Sequence, residues 1–303
     1  MYKFLLISVI LFCLTACEKK EIKEIKIFQP EEEKKISIQE RSIKVGIAAV
    51  LSPKDGFIYY KELLDYLSEK MSYPIVIKYG HYKEINECLK SGELDIAFVC
   101  SGAYIEGNKK FKLQLLVSPV VNNKTTYHSY IIVHKESSIS NFDQLKGKSF
   151  AFTDPLSNSG YLFPVFYLAK KGKTPQQFFY KTIFTYSHDN SIIAVAEKLI
   201  DGAAVDSLVY DWMKQTKPDL IARTKIILSS PPFGIPPVVV PYKIDSSFRE
   251  NLQNFFLNLH KEEKGRQILS KLKIDKFIKP DDRIYDSIRI MKTKVEQIGS
   301  SLK

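Results

Sequence analysis

Two stretches in which strand and helix patterns alternate constrain the fold of this chain most. The first begins at residues 43–50, a continuous apolar run typical of a strand buried on both faces, and the second begins at residues 149–153. Each stretch predicts a βαβαβ unit with mainly parallel pairing. The first unit combines strands at 43–50, 75–79 and 95–99 with helices at 57–71 and 82–90. The second combines strands at 149–153, 182–186 and 203–206 with helices at 159–170, 190–200 and 208–214.

Extended segments connect the two units. Apolar runs at 113–121 and 127–134 lie between them, and the proline-rich segment 231–237 cannot be helical. We therefore expect an α/β fold of two lobes, each a mostly parallel sheet flanked by helices, joined by two crossovers. Lobe 1 comprises residues 41–125 and 235–303, and lobe 2 comprises residues 126–234. The cleft between such lobes is where a small ligand binds.

The N-terminus has the pattern of an exported lipoprotein. Lys3 precedes an apolar stretch at 4–14 that is too short for a permanent membrane span, and Leu14-Thr15-Ala16-Cys17 resembles a bacterial lipobox. We expect a signal peptide at 1–16, a lipid such as palmitate on Cys17, and a solvated tether over 17–40. The alternative is an ordinary signal peptide with a chance cysteine. Either predicts the cell envelope, facing the periplasm or the cell exterior.

Composition narrows the choice of partner. The formal net charge is +11, but Lys and Arg are spread along the chain and form no recognisable nucleic-acid module, so a solvated basic surface is expected. Beyond the signal peptide and Cys17, the remaining cysteines are Cys88 and Cys100. Their spacing fits no metal site, and two buried thiols are favoured over a disulfide.

Residues 152–162 carry the clearest chemical signal. The turn dipeptide Asp154-Pro155 is followed by Ser157, Asn158 and Ser159 at the start of a helical pattern. The N-terminus of a helix favours anions, because its backbone N–H groups are free and its dipole is positive there. An ordinary N-cap is the alternative, although one cap does not need three polar residues.

Other polar residues follow predicted strands and could reach the same place. Tyr104 comes after strand 95–99, His188 after strand 182–186 and Asp206 after strand 203–206. For Tyr104 the alternative is packing, for His188 a cap or a core histidine, and for Asp206 a helix N-cap. A carboxylate beside an anion is repulsive, so Asp206 fits a ligand that carries a proton, which phosphorus oxyanions can do and sulfate cannot.

These features resemble the phosphate-, phosphite- and phosphonate-binding lipoproteins of ABC transporters. The resemblance rests on residues 152–160 and 188–207, including Asp201-Gly202-Ala203-Ala204-Val205-Asp206-Ser207. It implies a type 2 periplasmic-binding-protein fold, a permease partner, no enzymatic activity and no cofactor, and we expect a monomer. It also implies a ligand-binding set of six residues: Tyr104, Ser157, Asn158, Ser159, His188 and Asp206. Tyr59 or Tyr60 matches a further family tyrosine poorly.

Three other functions remain open from the residues alone. Ser157 or Ser159 with His188 and Asp206 could form a catalytic triad, but Gly-x-Ser-x-Gly is absent. The Tyr59-Tyr60 pair, Tyr104, His188 and Asp206 could bind a metal such as iron, although the histidines are scattered and no HExxH spacing occurs. A lipid-tethered sensor, or a binder of an organic ligand such as a thiamine precursor, could also use this fold.

Overall fold

The computed structural model describes residues 42–301. The predicted signal peptide, Cys17 and the tether lie outside the described residues. Within this range, the strands are β1 (Ile43–Ala48), β2 (Ile75–Gly80), β3 (Ile96–Phe98), β4 (Gln114–Val120), β5 (Thr126–Tyr127), β6 (Ser129–His134), β7 (Ser149–Phe152), β8 (Lys181–Phe184), β9 (Gly202–Asp206), β10 (Thr224–Ser229), β11 (Phe233–Gly234), β12 (Val238–Val240) and β13 (Lys276–Ile278).

Helices alternate with these strands. They are α1 (Pro53–Met71), α2 (Tyr82–Ser91), α3 (Ser101–Phe111), α4 (Phe163–Ala169), α5 (Pro175–Phe178), α6 (His188–Ala196), α7 (Ser207–Thr216), α8 (Pro218–Ile221), α9 (Ser246–Asn258), α10 (Glu263–Leu272) and α11 (Asp286–Ser301). In the described part of the chain, no helix is both long and apolar enough to cross a bilayer.

The strands form two main sheets, which confirms the two-lobed α/β prediction. The first sheet has the order β13-β4-β12-β3-β1-β2, and the second has the order β10-β6-β9-β7-β8. A small antiparallel pair, β5 with β11, joins the two segments that pass between the sheets. Both crossing segments therefore run side by side, as the two predicted crossovers require.

The sheets are mixed, so the expectation of mostly parallel sheets is wrong. The βαβαβ units are parallel, with β1 between β2 and β3, and with β7 between β8 and β9. The strands next to the crossings are antiparallel to these units: β12 pairs with β3, and β6 pairs with β9. A segment that arrives from the other lobe meets the sheet from the opposite end, which reverses its direction.

Helix α3 was missed because Gly102 and Gly107 interrupt its sequence, and glycine disfavours a helix interior. Packing overrides this preference. A Cβ at Gly107 would lie 2.7 Å from Leu113 Cδ2, and Ala103 and Tyr104 are buried on the same helix. The glycine thus allows the helix to lie close to the start of the next strand.

Each sheet has its own apolar core. In the first, Ile43, Val45 and Ile47 of β1 pack with Leu63 and Leu67 of α1, all at most 2% exposed. Burial of such side chains contributes about 1.5–3 kcal/mol each before entropy is counted. Cys88 and Cys100 are buried free thiols, as the sequence favours.

Candidate functional site

Three strand ends of the second sheet meet at one edge. β7 pairs in parallel with β8 and β9, so that Phe152 lies opposite Phe184 and Ala151 lies opposite Ala203. The segments that follow these strands therefore leave the sheet side by side. They carry five residues that the sequence analysis selected, all of them buried: Ser157, Asn158, Ser159, His188 and Asp206.

Ser157 caps the helical segment that follows β7. Its Oγ accepts a hydrogen bond from Gly160 N–H at 2.9 Å, at the start of a π-helical turn, Asn158–Leu162, that leads into α4. A Cβ at Gly160 would lie 2.4 Å from Thr153 Oγ1, so glycine is needed at this close approach. Single π-helical turns often occur at functional sites. The capping alternative therefore holds for Ser157.

Asn158 and Ser159 each bury a polar atom that is not hydrogen-bonded. Asn158 Nδ2 donates to Tyr127 Oη at 3.0 Å, while Asn158 Oδ1 has no partner among the described residues. Ser159 O accepts from Ser129 Oγ at 2.6 Å, while Ser159 Oγ has no partner within the same range. A buried polar atom without a partner costs about 1–3 kcal/mol. These two atoms therefore mark a place where a polar ligand would be stabilised.

His188 is held as a neutral hydrogen-bond donor. Asp206 N–H donates to His188 Nδ1 at 3.0 Å, and Thr153 Oγ1 lies 3.1 Å from the same nitrogen. Because the backbone N–H can only donate, Nδ1 must be the acceptor, which places the proton on Nε2. Burial lowers the pKa of His188 to about 3. Nε2 is buried and has no partner in residues 42–301, so its N–H is available to a ligand.

Asp206 combines two roles. Its Oδ1 accepts from Leu208 N–H at 2.7 Å and caps α7, as the capping alternative predicts. Burial raises the pKa of Asp206 to about 7, against the lowering effect of the N–H groups of Leu208 and Val209. Burial also raises the pKa of Tyr82 and Tyr127, with a smaller contribution from Asp206 to each. The carboxyl group thus lies near both phenols, and its burial favours the protonated form.

Two further buried hydroxyls lie on segments that adjoin this group, and sequence reasoning missed both. Tyr82 Oη and Ser187 Oγ have no partner among the described residues. Tyr82 begins α2, and its N–H donates to Asp154 Oδ2 at 3.4 Å, which brings it to the segment after β7. Both residues come shortly after a parallel strand, which is the signal that could have identified them.

Tyr104 does not join this group. Its hydroxyl donates to Asp282 Oδ1 at 2.5 Å, and its ring packs 5.0 Å from that of Tyr285. The packing alternative therefore describes Tyr104, because α3 directs this side chain toward the C-terminal helical segment. Tyr127, in the first crossing segment, takes the place expected of Tyr104 through its hydrogen bond with Asn158. A crossing segment must pass the cleft, so an aromatic hydroxyl within it was the signal to use.

The two lobes meet closely around the polar group. His188 N–H donates to Val50 O at 3.0 Å, and Ser52 N–H donates to Asp189 Oδ1 at 2.9 Å. On another side, a Cβ at Gly102 would lie 2.3 Å from Leu156 O. Gly102 belongs to α3 of the first lobe and Leu156 follows β7 of the second. The protein therefore has a closed cleft.

A cavity of about 200 Å³ extends from Asp206 between the lobes. Tyr59 and Tyr60 lie on its wall, so the tyrosine pair that the sequence matched poorly does face the cleft. Burial, and to a smaller extent Asp206, raises the pKa of Tyr59. The cavity thus continues the polar group toward a more aromatic surface.

The arrangement differs from a catalytic triad. His188 Nδ1 accepts from the backbone of Asp206 and makes no hydrogen bond to its carboxylate, and Ser157 Oγ is used as a cap. Over residues 42–301, no group of three or more His, Cys, Asp or Glu side chains could hold a metal ion. Within that range, no lysine or arginine contributes to the pKa shifts of His188 and Asp206. The site therefore offers neutral donors and the titratable carboxyl group of Asp206.

Comparison with known proteins places this geometry in a family. A family model described as "ABC transporter, phosphonate, periplasmic substrate-binding protein" matches residues 45–285. The phosphonates-binding periplasmic protein of Escherichia coli (strain K12) is 25% identical over 240 residues. That match covers 77% of this chain and 71% of the relative. The family match spans both sheets and all of the candidate residues.

Solved structures share the fold. A binding protein component of an ABC phosphonate transporter from Pseudomonas aeruginosa superimposes with a TM-score of 0.82 at 24% identity, covering 87% of this chain and 89% of that one. PhnD1 from Prochlorococcus marinus (MIT 9301), in complex with methylphosphonate, gives a TM-score of 0.77 at 19% identity, covering 85% and 99%. At these identities the likeness concerns the fold.

Proposed function

The chain belongs to the phosphonate-binding periplasmic components of ABC transporters, and we propose that its buried polar group binds the oxygens of a phosphorus oxyanion. Proteins of this family are binding components and not enzymes; they work outside the cytoplasm with a membrane permease. The observation that carries the proposal is the set of buried polar atoms without partners in residues 42–301, above all Ser159 Oγ and His188 Nε2. We propose that these atoms donate hydrogen bonds to the oxygens of the ligand.

Neutral donors suit this ligand. Ser159 Oγ–H, His188 Nε2–H and Tyr82 Oη–H can each donate to one oxygen, and hydrogen bonds to a charged acceptor are stronger than those between neutral groups. In this scheme Ser157 caps the helix and Asn158 links the group to Tyr127. A phosphonate, phosphite or phosphate that keeps one proton can donate it to Asp206, whereas sulfate has no proton to give at neutral pH.

We also propose the lobe boundaries of the sequence analysis, 41–125 with 235–303 and 126–234, as the units that close on the ligand. In support, β4 and β12 belong to the first sheet, β6 and β10 to the second, and β5 with β11 to the crossing. These strand assignments support boundaries next to β5 and β11.

Paired serine substitutions test the proposal. Ser159→Ala should weaken binding of methylphosphonate by about 1–3 kcal/mol, or roughly 5- to 150-fold in Kd, because it removes a hydrogen bond to a charged ligand. Ser157→Ala is the matched control and should mainly lower the melting temperature of the ligand-free protein, because it removes a cap. Calorimetry and thermal melting measure both. Unchanged affinity in Ser159→Ala would remove this hydroxyl from the proposed site.

The proposal also covers how the protein is held at the cell envelope. We propose that Cys17 carries the lipid, and that residues 17–40 tether a monomeric binding unit to a membrane face near its permease. Support comes from the sequence Leu14-Thr15-Ala16-Cys17. Cys17→Ser should appear in the soluble fraction or remain unprocessed after cell fractionation. A variant that fractionates with membranes and matures as the wild type does would contradict the lipid anchor.

A further inference from the structure

The cavity beyond Asp206 has walls that an oxyanion alone does not use. We call it the substituent chamber, and its apolar lining comes from both lobes. On the first lobe the carboxyl ends of β1 and β3 and the segment before β12 contribute, and on the second lobe α7 contributes. The apolar residues that line it include Val50, Phe98, Val99, Leu208, Val209 and Pro236.

A continuous series of aromatic rings crosses the chamber from one lobe to the other. The ring centroids of Tyr60 and Phe98 are 4.6 Å apart, those of Tyr59 and Tyr60 are 4.9 Å apart, and those of Tyr59 and Trp212 are 5.9 Å apart. Tyr59 Oη donates to Leu272 O at 2.6 Å, which fixes this ring in place. Such rings offer a broad apolar face to a ligand group that lies against them.

The charges around the chamber limit what it accepts. Asp206 and Asp211 both line it, and Lys273 lines it from an exposed position. An anionic substituent would meet the buried Asp206. A cationic substituent gains little from Asp211, which is exposed to solvent, and would have to lose its hydration against mostly apolar walls. Leu208 N–H engages Asp206 Oδ1, and the proposed function assigns the rest of this carboxylate to the proton of the oxyanion, so little of it is left for a cationic substituent.

Resting on the proposed function, we propose that this protein prefers phosphorus oxyanions that carry an uncharged hydrocarbon substituent, an alkyl chain or an aryl ring. A cavity of about 200 Å³ has room for several non-hydrogen atoms beyond the oxyanion. A methyl group would occupy a small part of this space and would leave the aromatic series uncovered. A butyl chain or a phenyl ring would cover it.

Calorimetry with a matched series of phosphonates tests this preference. The probes are methylphosphonate, butylphosphonate, phenylphosphonate, 2-aminoethylphosphonate and phosphonoacetate, all at one pH. We expect butylphosphonate or phenylphosphonate to bind at least tenfold more tightly than methylphosphonate, and phosphonoacetate to bind more weakly than both. If methylphosphonate binds as tightly as the larger ligands, or 2-aminoethylphosphonate binds more tightly than butylphosphonate, the preference is wrong although the oxyanion site stands. If no phosphonate binds, the proposed function fails with it.

Two substitutions connect the preference to the chamber. Val209→Phe adds volume to its wall and should reduce the ratio of phenylphosphonate to methylphosphonate affinity at least fivefold. Trp212→Ala removes a ring and should reduce the same ratio. Tyr180→Ala, a truncation of an aromatic residue that is 83% exposed and does not line the chamber, is the control and should keep the wild-type ratio. Ratios that stay at the wild-type value in both chamber variants, with melting temperatures that show folded protein, would overturn the proposal.

Discussion

The two lobes present the same kind of sheet edge to the cleft, but with different side chains. In the second lobe, Ser159, His188 and Asp206 follow the parallel strands, all of them buried and polar. In the first lobe, Val50 and Val99 follow β1 and β3 and line the cavity. The shared architecture therefore determines where a ligand lies, and the residues after the strands determine what each lobe contributes. By our proposals, the second lobe supplies most of the contacts to the oxyanion, joined by Tyr82 of the first lobe, and the substituent lies between the first lobe and α7 of the second.

The largest effect should come from the place where the lobes approach most closely. Gly102→Ala puts a Cβ 2.3 Å from Leu156 O, so the closed cleft must open slightly. Overpacking of this kind costs about 1–3 kcal/mol, or roughly 5- to 150-fold in ligand affinity. Alanine favours helices over glycine, so α3 itself should not weaken. Calorimetry with methylphosphonate and solution scattering would show the loss and the wider cleft. Wild-type affinity in this variant would show that closure does not need this contact.

Asp206→Asn should change which oxyanion the second lobe selects. Asparagine keeps an acceptor for the helix cap and adds a donor. We expect methylphosphonate to bind about tenfold more weakly, as for the loss of one charge-assisted hydrogen bond, and sulfate binding to appear. The comparison is calorimetry of both anions with wild type and variant. Tight sulfate binding by the wild type, or identical selectivity in the variant, would restrict Asp206 to capping α7.

Two tyrosines separate a role in the cleft from a role in packing. Tyr127→Phe removes the hydroxyl that accepts from Asn158, so affinity for methylphosphonate should fall by roughly fivefold, the equivalent of about 1 kcal/mol. Tyr104→Phe is the matched control: it removes the hydrogen bond to Asp282 and should lower only the melting temperature. Equal affinities in the two variants would place Tyr127 outside the binding group.

The smallest expected effect is on how the stability of the ligand-free protein depends on pH. Burial raises the pKa of Asp206 from about 3.8 to about 7, so its ionisation opposes folding progressively between these values and fully above them. Asp206→Asn removes this cost and should raise the melting temperature by about 2–4 °C per kcal/mol regained at pH 8, and by less at pH 5. An equal change in melting temperature at pH 8 and pH 5 would contradict an ionisation cost at Asp206.

Much of the architecture could be read from the sequence because buried parallel strands are continuous apolar runs. β1, β7 and β9 are where such runs predict them, whereas the mixed pairing depends on the direction of segments that return from the other lobe. That direction is a property of the whole topology and leaves no local pattern. Helix α3 shows the converse case, since its two glycines hide a helix that tertiary contacts stabilise.

The site was only partly predictable for a similar reason. The sequence alone does not distinguish the roles of Ser157, Asn158 and Ser159. The π-helical turn directs Ser157 Oγ to cap the helix and leaves Ser159 Oγ without a partner in the described residues. Tyr104 and Tyr127 are both buried tyrosines near strand ends, and the direction of α3 separates them. Such assignments depend on side-chain directions, which residue spacing does not specify.

The paired crossing strands have a mechanical consequence. Phe233 lies opposite Tyr127 and Gly234 lies opposite Thr126, so the two connections are hydrogen-bonded into one narrow ribbon. We expect such a ribbon to favour one opening motion of the lobes over independent twisting. Tyr127 is part of this ribbon and also bonds to Asn158. We therefore expect a ligand that displaces Asn158 to displace this ribbon as well, through the hydrogen bond to Tyr127.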